Sequence, residues 1–320
     1  MHVDLYVSLA GLIVGFVVGL TGMGGGALMT PVLVLLFNIQ PLAAVSSDLV
    51  AAVIMKPVGG AVHAKRGTVN KGMVGWLCIG SVPAAFGGVL LLKSMGSPDQ
   101  IQGHVKAFLG WALVLASATM VAKAVMAMRT RARDQALGRV PEKKPVVLRP
   151  LPTILIGAFG GLIVGMTSVG SGSLIIVLLM LLYPTLRAND LVGTDLVQAV
   201  PLVFSAALGH LIFGDFKLGL TTSLLIGSIP GVYIGARVSA VAPGSLIRRA
   251  LVIVLLASGL KLLDVPTATL GYILLAMAVL GPFVWRIFRD KVSAYLRNSR
   301  AESQVHDLHL DHQEEARLTA

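Results

Sequence analysis

Several residues in this chain have types and spacings that could do chemistry. Two glycine- and hydroxyl-rich stretches, Thr21-Gly22-Met23-Gly24-Gly25-Gly26 and Thr167-Ser168-Val169-Gly170-Ser171-Gly172, interrupt apolar runs. Backbone amides at the start of a helix that resumes after such a break carry partial positive charge. With Thr21, Thr167, Ser168, Ser171 and Ser173 beside them they suit a small anion. The other use of such glycines is close helix packing through small residues. Lys56 stands in the middle of an apolar segment, where a charge costs ~2.5 to 3.5 kcal/mol or more on insertion scales and normally faces a cavity or a partner. It reads as an anion-binding ammonium or as half of an internal ion pair with Asp48 or Asp195. Those carboxylates follow Ser47 and Thr194. They read as N-caps or first-turn dipole partners, or as proton carriers, because a carboxyl that is neutral during binding does not repel an anion and couples a proton to it. His63 and His210 end their segments and read as boundary or packing residues, or as gating and proton-transfer groups.

The elements that must position these groups are helices in a bilayer. Of 320 residues 55% are hydrophobic and 13% charged, and the mean hydropathy is +0.84, too apolar for one soluble core of this length. Leu5 to Phe37 and Leu151 to Tyr183 each run for 33 positions. A straight helix of that length would measure roughly 50 Å against a hydrocarbon core of about 30 Å. Each segment must therefore break or turn at its glycines. Backbone outside a helix is tolerated at membrane depth only where protein or a water-filled cavity surrounds it, and matched breaks in two repeats mark a transport site.

Other chemistries are disfavoured by what surrounds their signals. The net charge of +11 comes from basic clusters between apolar runs, with no aromatic-interleaved surface to read bases, so no nucleic-acid partner is expected. Cys78 is the only cysteine, which rules out an internal disulfide and multi-cysteine metal chemistry. Gly22-x-Gly24-x2-Ala27 imitates a dinucleotide fingerprint without the strand or βαβ unit it needs, so no cofactor is expected. His306, His309 and His312 with Asp307 and Asp311 read as a solvated tail sooner than a metal site. No nucleophile has a matched base, and no enzyme is expected. The start, Met1-His2-Val3-Asp4, lacks the basic region of a signal peptide and reads as the entry to the first membrane segment.

The second half copies the first. At an offset of 146, Gly15, Gly19, Thr21, Gly24 and Gly26 fall on Gly161, Gly165, Thr167, Gly170 and Gly172. At 147, Asp48 falls on Asp195, His63 on His210, Gly67 on Gly214, and Gly80-Ser81-Val82-Pro83 on Gly227-Ser228-Ile229-Pro230. Lys56 falls on Val203, so a shared site is asymmetric. The expected organisation is an all-α polytopic membrane protein with a first repeat at 1–128, a basic cytoplasmic linker at 129–150, a second repeat at 151–264, an additional helix at 265–288 and a cytoplasmic tail at 289–320. If the two broken segments re-enter, every strong basic cluster lies on the cytoplasmic side, which favours inverted repeats.

The order and spacing of these pieces resemble the TauE/SafE family of sulfite and organosulfonate exporters, from about Leu9 to Leu263. The resemblance rests on Gly15-x3-Gly19-x-Thr21-x2-Gly24-Gly25-Gly26 followed by Pro31, on Ser47-Asp48-Leu49, on His63-x3-Gly67, and on their echoes through Thr194-Asp195-Leu196 and His210-x3-Gly214. It implies a multi-pass carrier of the bacterial inner membrane for a small anion such as sulfite, a sulfonate or a related organic anion. The expected site is Thr21, Gly24, Gly25, Gly26, Lys56, Thr167, Ser168, Gly170 and Ser171, with Asp48, Asp195, His63 and His210 as proton-coupling or gating groups. Alternating access would arise from one repeat rocking against the other. The rival from another class is a non-transporting membrane anion sensor or assembly partner.

Overall fold

In the computed structural model the described residues are 4–21, 25–65, 69–136, 147–184, 186, 188–238, 244–277, 279–281 and 286. They form helices almost throughout: α1 (Leu5–Thr21), α2 (Gly26–Leu36), α3 (Pro41–Lys65), α4 (Lys71–Ser94), α5 (Pro98–Ala136), α6 (Pro150–Thr167), α7 (Leu174–Leu182), α8 (Ala188–Phe213), α9 (Leu218–Val238) and α10 (Gly244–Leu262). Local signals set several of the starts. Asp4 Oδ1 accepts from the amides of Tyr6 (2.8 Å) and Val7 (3.2 Å) ahead of α1, and Asn70 caps α4 through the Met73 amide at 3.1 Å. Pro150 opens α6, where a missing N–H costs nothing.

Among the described residues, five helices are long and apolar enough to cross a membrane: Lys71–Ser94, Asp99–Met128, Pro150–Thr167, Asp190–Phe213 and Leu218–Val238. Trp111, Phe159, Phe204 and Tyr233 point away from the protein core, as side chains solvated by lipid do. Both overlong segments are interrupted. α1 stops at Thr21 and α2 starts at Gly26; α6 stops at Thr167 and α7 starts at Leu174. α5 continues to Ala136, so the first turns of the linker expected from residue 129 are helical.

The chain forms two compact units. One, Met1–Ala122 with Val146–Leu270, contains every candidate site residue. The other comprises Lys123–Pro145 and Gly271–Ala320, and its described part is the far end of α5 and most of a short apolar helix at Thr267–Gly281. The tail histidines expected to be solvated lie outside the described residues.

Within the first unit α1 packs on α9 and α6 on α4, so each half of the chain lends a helix to the other. Glycines make these contacts backbone to backbone: a Cβ on Gly15 would fall 2.6 Å from the Ser228 carbonyl, and one on Gly161 would collide with the carbonyl of Ser81. The glycines ahead of each break thus serve packing. Buried apolar side chains gather in two clusters. One joins Val14 and Val18 of α1, Met29 and Leu33 of α2, Leu109 and Leu113 of α5, Leu224 of α9 and Leu255 of α10. The other joins Leu49 of α3, Met73 and Leu77 of α4, Val164 of α6, Ile175 and Leu179 of α7, and Leu191 and Leu202 of α8. α3 packs on α8, α2 and α9.

Candidate functional site

The second break is a hairpin. Gly160 on α6 leaves room for Ile175 on α7, and Thr153 Oγ1 lies 2.6 Å from the hydroxyl of Tyr183. Seven residues back along α6 therefore match eight forward along α7, which makes the two helices antiparallel. The turn begins at Ser168, whose φ of 60° is left-handed and whose amide donates to Val164 O at 2.7 Å, the αL way of ending a helix. Gly170 (φ 128°) and Gly172 (φ 93°) continue in backbone conformations that side chains resist. Serine in such a conformation costs roughly 1 to 2 kcal/mol relative to a relaxed backbone. What the chain gains there is a hydroxyl.

That hydroxyl donates to Asp48 Oδ2 of α3 at 2.6 Å, and Thr30 of α2 donates to the same oxygen at 3.1 Å. Asp48 Oδ1 faces Gly25 at the start of α2, 3.9 Å from where a Cβ would stand. Gly26 abuts Ser168 so closely that a Cβ would run into its carbonyl and hydroxyl. The two breaks therefore meet each other, and the buried Asp48 carboxylate lies where they meet. Two turns further along α3, Lys56 Nζ donates to Ser171 Oγ at 2.6 Å. Eight residues of helix rise about 12 Å, so the segment 168–171 lies along α3 with a serine on a charge at each end. Neither α2 nor α7 has a side-chain cap; at the start of α7 the amides of Ser173 (3.4 Å), Leu174 (3.1 Å) and Ile175 (3.5 Å) converge on the Gly170 carbonyl instead.

The remaining expected residues separate into three groups. Asp195 is buried on α8, and Gln198 Nε2 donates to its Oδ1 at 3.1 Å while Ser81 donates to Gln198 Oε1 at 3.0 Å. Lys56 is within coulombic reach of both Asp195 and Asp48. Neither carboxylate is an N-cap: each lies in the second or third turn of its helix, which excludes the capping alternative. Thr21 and Thr167 turn their hydroxyls back to Val17 O (2.9 Å) and Ile163 O (2.7 Å), finishing α1 and α6. His210 is fully buried between α6 and α3. Gly24 and the side chain of His63 lie outside the described residues.

Thr30, Ser46, Ser81 and Gln198 were not singled out from the sequence. Thr30 is the lone hydroxyl of Gly26–Leu36 and Gln198 the lone glutamine of Ala188–Phe213, so a polar residue set among apolar neighbours was the available signal.

Comparison with known proteins identifies the family. The family model described as Sulfite exporter TauE/SafE matches residues 7–262. A Bacillus subtilis (strain 168) protein described as a probable membrane transporter, YjnA, is 37% identical over 258 residues, covering 80% of this chain and 98% of its own length. A second from the same organism, described as the probable membrane transporter YdhB, is 23% identical over 263 residues, covering 82% of this chain and 100% of itself. No solved structure matches the chain significantly. With its apolar spans, its paired broken helices and a match running through both halves, the chain is a multi-pass membrane transporter, not an enzyme, and belongs to the TauE/SafE sulfite exporter family.

Proposed function

We propose that the protein is a secondary carrier of the bacterial inner membrane for a small oxyanion, such as sulfite, a sulfonate or a related organic anion, with protons as the coupling ion. One observation carries this proposal: where two interrupted helices converge, Gly26 abuts Ser168, Ser168 bonds the buried Asp48, and the half-buried Ser171 bonds Lys56. Hydroxyls, an ammonium and a helix start without a side-chain cap, here that of α2, are groups that bind oxyanions. Asp48 supplies the exchange. In its charged form it satisfies the donors itself and repels an anion; once protonated it releases them and takes up the proton that accompanies the substrate.

The reading of two repeats is supported by contact exchange, while their inversion rests on the placement of the basic clusters. Gly11, Gly15 and Gly19 meet Leu224, Ser228 and Val232. Adding 146 to the first set and subtracting 147 from the second gives Gly157, Gly161 and Gly165 against Leu77, Ser81 and Ala85, and those contacts are present between α6 and α4. This pattern revises the expected motion. A repeat rocking on its twin would have to open both backbone-to-backbone interfaces. In the proposal the moving bodies are instead the two apolar clusters, α1, α2, α5, α9 and α10 against α4, α6, α7 and α8, with α3 at the seam.

The test is flux. Purified protein in sealed vesicles should take up labelled sulfite faster when a proton gradient is imposed and should saturate. Empty-vesicle rates for sulfite, taurine and sulfoacetate alike would remove the proposal.

A further inference from the structure

The sequence pattern His210-x3-Gly214 has no part in the anion site described so far. The His210 ring is completely buried, with Nε2 2.8 Å from the Gly165 carbonyl of α6 and Nδ1 2.8 Å from Ser46 Oγ of α3. A carbonyl only accepts, so a ring proton belongs on Nε2; Ser46 Oγ, whose single proton has both Nδ1 and the Leu42 carbonyl (2.7 Å) in reach, closes the other end as donor to a neutral ring or as acceptor from a charged one. The Gly165 carbonyl lies in the last turn of α6, where carbonyls lose their partners when a helix stops. In a continued helix it would accept from the Val169 amide, but that amide donates to Thr167 Oγ1 at 3.2 Å. His210 therefore supplies, from α8, the donor that the break removes. Gly214 makes room for the other end of the ring. A Cβ there would stand 2.6 Å from Ser46 Oγ and 2.8 Å from His210 Nδ1.

Ser168 follows Gly165 by three residues, and Asp48 follows Ser46 by two. The imidazole thus joins the same two elements that the Ser168–Asp48 bond joins, at a second point. One bond between two helices permits rotation about it; two bonds fix their relation. We infer that His210 is a positioning residue, a two-ended clamp that caps the broken end of α6 and holds it on α3 so that Ser168 stays on Asp48 and Ser171 on Lys56. The inference rests on the breaks being the anion site. His210 itself acts through Ser168.

The test combines transport with hydrogen exchange. In vesicles, Ser168→Ala and His210→Leu should each raise the KM for labelled sulfite about tenfold, the size of one lost bond to a charged group. The double variant should be within about twofold of either single variant, since both remove the same alignment. His210→Gln, whose amide reaches the Gly165 carbonyl, should recover most of the loss, and exchange of the 165–173 amides should quicken in His210→Leu but not in His210→Gln. If His210→Leu fails to fold, Gly214→Ala, which wedges Ser46 from the ring, takes its place in the cycle. KM effects that multiply, a Gln variant no better than Leu, or unchanged exchange at the break would each overturn the clamp. Quickened exchange in His210→Leu alongside an unchanged KM in Ser168→Ala would leave the clamp standing as a structural tie and remove the anion site instead.

Discussion

Replacing Gly26 by alanine puts the convergence of the two breaks to a direct test. The added methyl would collide with the Ser168 carbonyl, stand 2.5 Å from Ser168 Oγ and lie 2.7 Å from its carbonyl carbon. Ordinary contact begins near 3.4 Å. Backbone cannot swing aside as a side chain can, so the breaks must part by about 1 Å. The Ser168–Asp48 bond, 2.6 Å long, would then stretch to about 3.6 Å and cease to be a hydrogen bond. Losing a bond to a buried charged group costs roughly 1.5 to 3 kcal/mol, or about 10- to 100-fold in affinity for whatever the aligned donors hold. Controls are built into the chain. A Cβ at Gly75 or Gly87 meets nothing within 4 Å, so alanine there should leave transport intact and stabilise its helix by about 0.5 to 1 kcal/mol. The assay is labelled-sulfite uptake by vesicles carrying matched amounts of each variant, with Tm as the check on folding. Gly26→Ala transporting like the wild type at an unchanged Tm would refute the close approach on which the site depends.

Other substitutions give distinct outcomes. Ser168→Gly and Ser168→Ala should both lose substrate affinity, yet the glycine variant should unfold at the higher temperature, by the equivalent of about 1 kcal/mol, because it also sheds the left-handed serine. Equal melting temperatures would deny that strain. Ser81→Ala should destabilise by roughly 1 to 3 kcal/mol by stranding Gln198, whereas Ser228→Ala removes a buried hydroxyl that has no hydrogen-bond partner among the described residues and should be neutral or better in thermal unfolding. Lys56→Ala should weaken sulfite binding about tenfold or more in a thermal-shift titration, and unchanged affinity would restrict the ammonium to a structural role. Asp48→Asn combined with Asp195→Asn should still move sulfite downhill but lose its stimulation by a proton gradient; full stimulation in the double variant would dismiss the carboxyls as carriers.

Much of the fold was legible because its causes are local. Length against bilayer thickness forced the breaks, and glycine clusters located them, so Thr21 and Thr167 fall at helix ends as expected. Packing partners are not local. Nothing in Gly15 or Gly161 announces that one meets Ser228 and the other Ser81. At the site, Lys56, Asp48, Ser168 and Ser171 were readable because charge and hydroxyl are conspicuous in an apolar span. The part each plays was not. A carboxylate near a segment start resembles a cap, and only the three-dimensional placement of Thr30 and Ser168 distinguishes Asp48 from one. His210 resembled a boundary residue because the carbonyl that it caps lies 45 positions away.

On the proposed function an oxyanion binds where the two interrupted helices meet, beside Lys56 and Ser171. Selenite has the shape and charge of sulfite and scatters anomalously, so a crystal structure of the protein soaked in selenite places the anion without assumption. One strong anomalous peak is expected within hydrogen-bonding reach of Lys56 Nζ and Ser171 Oγ, absent in Lys56→Ala crystals. A peak elsewhere in the protein, with none between α3 and the 168–173 turn, would contradict it.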